Sequence, residues 1–427
     1  MDQCKSPFDP SSLLADVRTQ RLLETIREQG GFAFVNLIMR VKGGDAAAAE
    51  IAYDMAWEQL HSGPWHAVHT AWRDAFTLSC ILMAFSQTLT LPEALRYLDM
   101  GLLMGASLFQ RDASLAIGFI QSRDKEKMEH SGPISHRCTF RVSMDPSSCT
   151  ESTTARATGR ISELSVGPMP TFENLHLLPE RSLQCDAIER SCQPSLEEFL
   201  CCYLLPGIPV ILTNAISHWS ALRKWKNVDY LQDVAGDRTV PVEVGKHYLM
   251  PEWKQELVPF SELLKHIYEA QGSSTTCTYL AQHPLFEQIP QLKEDIVIPD
   301  YCAFGGDSVH TINAWFGPAG TVTPLHHDPD CNLFAQVVGK KYVRLYPASV
   351  SESLYPYDES MLWNSSQVDL DNPDYKIYPL AKNLAFMDCV LEEGEMLYIP
   401  PKWWHYVRSL SPSFSVSFWW ASANLAS

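Results

Sequence analysis

The chain is short of positive charge, of paired cysteines and of long apolar runs. Lysine and arginine together number 33 against 50 aspartates and glutamates, a net charge of −17. A general nucleic-acid binder needs a basic stripe to neutralise phosphates, so no direct nucleic-acid partner is expected. An acidic surface instead raises the encounter rate for a protein or peptide carrying basic side chains. The 12 cysteines fall singly along the chain. The one adjacent pair, Cys201-Cys202, has neither C-x-x-C spacing nor a histidine at zinc-finger distance. That pattern argues against a structural zinc site and against a disulfide scaffold. The most apolar run, around Cys80 to Phe85, is far too short to span a membrane. Pro7 precedes any apolar stretch, which argues against a secretory leader. A soluble protein inside the cell, with reduced thiols, is the expectation.

What is there is an ordinary globular composition. The chain has 427 residues, 46% of them hydrophobic and 19% charged, enough for two or three units with real cores. Residues 1–121 read as successive helices. Leu13, Leu14, Val17, Leu22 and Ile26 recur at helical spacing before Gly30-Gly31 stops the run. Thr90 with Glu93 three residues on forms a capping box before Leu95, Leu98, Leu102 and Leu103. Such helical hairpins suit a packing or partner-binding module, and nothing here concentrates titratable groups. Residues 122–170 form the expected linker, for Ser147 to Thr154 carry hydroxyls and almost nothing to bury. Residues 171–427 turn to β character, with short runs such as Pro209 to Leu212 and Val240 to Val244 set between Gly, Pro and Asp signals. Val337-Val338-Gly339-Lys340-Lys341 reads as the turn of a hairpin. Together these predict an α+β chain in which a helical domain precedes a β barrel or double-sheet roll.

The chemistry centres on Pro324-Leu325-His326-His327-Asp328-Pro329. Side chains alternate on extended backbone, so His326 and Asp328 share a face while His327 faces away. An imidazole and a carboxylate on one face can meet a single cation. A third ligand should lie downstream, and His405 sits in the stiff apolar turn Pro400-Pro401-Lys402-Trp403-Trp404-His405. Two histidines and one carboxylate leave half of an octahedron open, as non-haem Fe(II) oxygenases require. An isolated H-x-D is more often structural than not, and a histidine after two tryptophans is often a packed core residue. The joint pattern is what favours a metal. Lys341 completes it, because a ligand that chelates the metal and ends in a second carboxylate needs a distant point charge. Lys340 beside it reads as a solvated turn lysine.

In these residues the chain resembles a JmjC domain. His326-x-Asp328, Asn332, Lys341 and His405 carry the likeness, inside Thr311 to Pro318 and the closing Phe418-Trp419-Trp420. Within the JmjC family it resembles the group of bifunctional peptidases and arginyl-hydroxylases. Shared phrases include Pro241 to Gly245, Tyr279 to His283 and Leu98 to Gly105. The resemblance implies a double-stranded β-helix, a cupin-like jelly roll, that uses Fe(II) with 2-oxoglutarate and O2 as co-substrates. It implies His326, Asp328 and His405 as the catalytic metal ligands. It assigns Lys341, Tyr279 and Thr323 to the distal carboxylate of 2-oxoglutarate, Asn332 to the carboxylate beside the keto group, and Gln282 and Trp419 to the same pocket. Glu243, Tyr248 and Trp315 correspond to a substrate pocket, where an acid between aromatic faces suits a guanidinium.

The activity implied by the resemblance is that of a dioxygenase hydroxylating arginine at C3 in a protein substrate. That partner would be a histone, ribosomal or chromatin-associated protein, with a role in transcription and the cell cycle. The alternatives are histone methyl-lysine demethylation and cleavage of histone tails as a hydrolase. A non-enzymatic scaffold is a fourth, against which the triad and Lys341 speak. Glu243 tips the reading toward arginine, since a methylammonium is better held by an aromatic cage. The nucleus is the expected location, with the cytoplasm second. The linker, however, lacks the basic cluster an import signal would show.

Overall fold

Apolar residues at helical spacing, punctuated by Asp, Thr and Gly, make seven α-helices among the described residues of the first third of the chain. The computed structural model describes residues 8–86, 89–130, 177–268, 277–305, 311–358 and 361–421. The helices are α1 Pro10–Ala15, α2 Val17–Glu28, α3 Phe32–Lys42, α4 Ala47–His61, α5 Thr70–Ser86, α6 Leu91–Met104 and α7 Gln110–His130. Asp9 and Asp16 cap the first two by accepting from backbone N–H groups. The capping box at α6 forms, with Thr90 N donating to Glu93 Oε2 at 2.8 Å. Leu22, Ile26, Phe34, Phe76, Leu95 and Leu98 belong to a core of the helical unit's own. Helix α7 continues to His130, past the expected domain limit at 121. The hydroxyl-rich stretch from Ser147 to Thr154 lies outside the described residues.

The second unit is built of strands. The first seven are β1 Asp186–Ala187, β2 Arg190–Cys192, β3 Val210–Thr213, β4 Thr239–Val244, β5 Lys254–Pro259, β6 Thr278–His283 and β7 Thr311–Gly317. The rest are β8 Val322–His327, β9 Cys331–Val338, β10 Lys341–Tyr346, β11 Met387–Leu391, β12 Met396–Ile399, β13 Trp404–Ser409 and β14 Ser413–Trp420. They form two sheets. The smaller has the order β1-β11-β10-β13-β8, and the larger β2-β3-β12-β9-β14-β7-β6-β4-β5. Such a double sheet is the roll that the sequence predicts.

Between the sheets lies one apolar cluster containing Tyr279, Trp315, Phe334 and Leu397 of the larger sheet with Val343, Leu345 and Val407 of the smaller. The outer face of the larger sheet is covered by helices, and Trp225, Phe260, Phe286 and Leu231 pack against Phe316, Phe414 and Phe418 there. Strands covered on both faces read as continuous apolar runs. Accordingly β9, β10 and β13 are buried at every position.

That burial overturns one expectation. Val338 and Lys341 flank a turn, but the strands it joins do not form a hairpin. β9 pairs with β12 and β14, whereas β10 pairs with β11 and β13. The turn is a corner that passes the chain from one sheet to the other. Gly339 allows it with φ +75°, in a place where a Cβ would come within 2.1 Å of the Pro412 carbonyl oxygen.

Candidate metal centre

Strands β8 and β13 are antiparallel neighbours, and their register sets His326 directly opposite His405. The two rings lie 4.1 Å apart between centroids. Asp328 follows β8 on the His326 face, and its Oδ2 is 3.5 Å from His405 Nε2 and 4.0 Å from His326 Nε2. Among the described residues this is the one group of histidine, cysteine and acidic side chains placed to share a cation. His327 turns away as the alternation requires. Its ring packs on Trp404 and Trp363 with centroids 4.6 and 5.1 Å off, and burial lowers its pKa.

The backbone fixes which nitrogens face the centre. His326 Nδ1 lies 2.8 Å from the Pro324 carbonyl oxygen, and His405 Nδ1 lies 3.0 Å from that of Trp403. A carbonyl can only accept, so each Nδ1 carries a hydrogen, and Nε2 is the ring atom that each histidine turns toward Asp328. Burial, with His326 close by, pushes the His405 imidazole down to about 4, which keeps it neutral. Asp328 Oδ2 is buried with no hydrogen-bond partner. An orphaned carboxylate oxygen facing two imidazole nitrogens is costly unless a cation fills the gap.

The adjoining cavity is lined by Tyr279, Trp315, Thr323, Asn332, Phe334, Val407 and Trp419 beside the triad. Asn332 Oδ1 and Trp419 Nε1 are also buried without partners. Lys341 stands next to it, 1% exposed, with Nζ 3.2 Å from Tyr279 Oη and 5.1 Å from the Phe334 ring centre. Burial brings its pKa down to about 7. As it stands the cavity is narrow, about 20 Å³.

The substrate candidates divide between two places. Trp315 lies on the cavity wall and donates to Ser417 Oγ at 2.9 Å. Tyr248 is not on that wall; its Oη lies 3.0 Å from Ser365 Oγ, and Ser365 bridges to His326. Burial pushes the Tyr248 phenol up to about 12, and both Asp328 and Glu243 add to that. Glu243 pairs in register with Tyr279, and burial raises its pKa against the opposing Trp253 indole. Gln282 is not brought to the cavity. It is exposed with φ +47° at an irregularity between β6 and β7. The sequence reading missed Phe334, Val407 and Trp253. Phe334 had a signal, since it shares a strand face with Asn332; Trp253 had none.

A family described as "Cupin-like domain" matches residues 196–425. Across 95% of this chain and 93% of its own length, "Lysine-specific demethylase JMJ30" of Arabidopsis thaliana is 51% identical. The chain belongs to the JmjC family of Fe(II)- and 2-oxoglutarate-dependent oxygenases. "Lysine-specific demethylase 8" of Xenopus tropicalis is 40% identical over 96% of this chain and 95% of its own. "Jumonji C domain-containing protein 5" of Drosophila melanogaster is 38% identical over 88% and 89%. The helical unit matches the family "KDM8-like, N-terminal ARM repeats" over residues 12–133. For a JmjC centre the residues present fit the metal: two imidazoles that turn Nε2 inward and one unpaired carboxylate oxygen suit Fe(II) and leave coordination positions free. No helix among the described residues is long and apolar enough to cross a membrane.

Proposed function

We propose that this JmjC oxygenase oxidises a cationic side chain of a protein substrate, with histone methyl-lysine demethylation as the leading reading. The relatives named lysine-specific demethylases support that reading, because they are similar to this chain over nearly all of its length. His326, Asp328 and His405 would hold the iron, which when bound couples decarboxylation of 2-oxoglutarate to oxidation of a C–H bond. Lys341 and Tyr279 would hold the distal carboxylate and Asn332 the proximal end, while Trp315, Phe334 and Val407 exclude water. Hydroxylation of an N-methyl group gives a hemiaminal that breaks to formaldehyde and the amine. A nuclear location suits a histone substrate.

A second reading, arginine hydroxylation at C3, has one observation in its favour. Glu243 is a part-buried carboxylate whose charge acts on Tyr248, and it pairs in register with Tyr279 of the cavity wall. Its two oxygens match a guanidinium in a way they do not match a methylated ammonium.

One experiment separates the two. Protein reconstituted anaerobically with Fe(II) and 2-oxoglutarate is given methyl-lysine or arginine peptides, O2 is admitted, and product masses are read. Loss of a methyl with release of formaldehyde supports demethylation. Gain of one oxygen on the arginine peptide, with methyl-lysine peptides untouched, overturns it in favour of hydroxylation.

A further inference from the structure

Helix α6 sends one charged side chain into the oxygenase unit, and both it and its partner are sealed off. Asp99 and Arg238 are 0% and 1% exposed, and Arg238 Nη2 donates to Asp99 Oδ1 at 2.6 Å. Asp99 accepts from three more donors: Arg238 Nε, shared between both oxygens, the Thr239 backbone N–H at 2.7 Å and Gln288 Nε2 at 2.9 Å. Gln288 Nε2 also donates to the Thr239 carbonyl oxygen at 2.7 Å. Since that amide nitrogen is the donor, Gln288 Oε1 accepts from His283 Nε2–H at 2.7 Å. A single carboxylate from the helical unit thus gathers the start of β4 and the end of β6.

The position matters because those two strands are joined only at their other ends. Glu243 pairs with Tyr279 and Val244 with Thr278, and no pairing continues toward Thr239 and His283. In that register Thr239 lies opposite His283, so the Asp99–Gln288 cluster bridges the point where the ladder has opened. β6 is also irregular against β7 between Leu280 and His283. The clamp is four residues, roughly 13 Å of strand, from Tyr279 and Glu243. Tyr279 touches Lys341, and Glu243 sits beside Tyr248.

We propose that Asp99 is a positioning residue for the oxygenase site: from the helical unit it sets the spacing of β4 and β6 and so the placement of Tyr279 and Glu243. The helical unit is then part of the catalytic apparatus rather than an appended module. The proposal rests on the assignment of Tyr279 and Lys341 to 2-oxoglutarate, and amide exchange tests the clamp without that assignment.

The full chain is compared with Asp99→Asn and with the double variant Asp99→Leu/Arg238→Met, which leaves no unpaired buried charge. Amide hydrogen exchange is followed in metal-free protein over Thr239–Val244 and Thr278–His283, with β8 and β13 as internal references. Exchange in the two clamped strands is expected to quicken by about tenfold or more while the references hold. With metal, KM for 2-oxoglutarate is expected to rise about tenfold and kcat to change less, since the triad strands are untouched. A merely stabilising pair would lower the melting temperature without moving KM in folded protein. Should Asp99→Asn fail to fold, the apolar double variant decides. Exchange within about twofold of the parent in either folded variant overturns the clamp, and quickened exchange with KM within about twofold overturns its role in placing Tyr279.

Discussion

Lys341 Nζ lies 3.2 Å from Tyr279 Oη inside the barrel, one residue from each of the two facing sheets. The contact puts an amine and a hydroxyl at one place among apolar side chains, where each is the other's hydrogen-bond partner.

The pKa of Lys341 makes co-substrate binding depend on pH. Burial holds the ligand-free amine at about 7, and a carboxylate seated against it restores its charge. Above pH 7 binding must take up a proton, so affinity for 2-oxoglutarate falls by up to about tenfold per pH unit. Calorimetric titration from pH 6.5 to 9 (roughly the range that brackets this value) measures it, and Lys341→Met is expected to abolish binding. Stability moves in the opposite sense. Between about 7 and 10.5 the unfolded lysine binds a proton that the native one does not, so stability rises with pH relative to Lys341→Met. Urea midpoints at pH 7 and 9 should show the gap closing by about 2 kcal/mol.

Adjacent residues, Asp328 and His327, should respond oppositely to substitution. Asp328→Ala removes the orphaned oxygen of the triad and is expected to abolish metal binding and turnover. His327→Ala removes a ring packed between Trp363 and Trp404, costing about 1 kcal/mol of stability while the metal still binds. Thermal unfolding with Mn(II) as the probe separates them. At about 100 times its dissociation constant the metal adds roughly 2.7 kcal/mol to parent and His327→Ala, and nothing to Asp328→Ala.

The sheet-crossing corner should tolerate no side chain. Gly339→Ala places a Cβ against the Pro412 carbonyl at φ +75°, two residues from Lys341. A loss of about 2 kcal/mol or more in chemical denaturation is expected, together with weaker 2-oxoglutarate binding.

Glu243→Gln keeps the shape of the side chain and removes its charge. With a cationic substrate, peptide KM should rise about tenfold while KM for 2-oxoglutarate stays put. Steady-state constants for both substrates check this, and an unchanged peptide KM would remove Glu243 from the substrate pocket.

Much of the site could be read from local pattern. The two-residue period of extended backbone puts His326 and Asp328 on one face and His327 on the other, whatever the strand pairs with. The capping box at Thr90 and the helical spacing of Leu95 and Leu98 are likewise short-range, and the helix forms where they predict it. Other features depended on which strands meet. The Val338–Lys341 turn carries the local signals of a hairpin, yet β9 and β10 enter different sheets because each is paired on both edges by strands distant in sequence. Gln282 sits in a phrase with Tyr279, but alternation sets it on the Leu280 face of β6, and where the β6–β7 register breaks it is left exposed.

By itself, then, the sequence determined the metal-binding residue types, their shared face and the helical character of the first unit, since alternation, capping and helical period act within a few residues. Tertiary structure alone decided that His405 faces His326 across a strand pair, that Lys341 meets Tyr279 between two sheets, and that Asp99 closes on Arg238. Those contacts join residues 62 to 139 positions apart. No local preference reaches so far; they form because burying both faces of the sheets fixes which strands lie side by side.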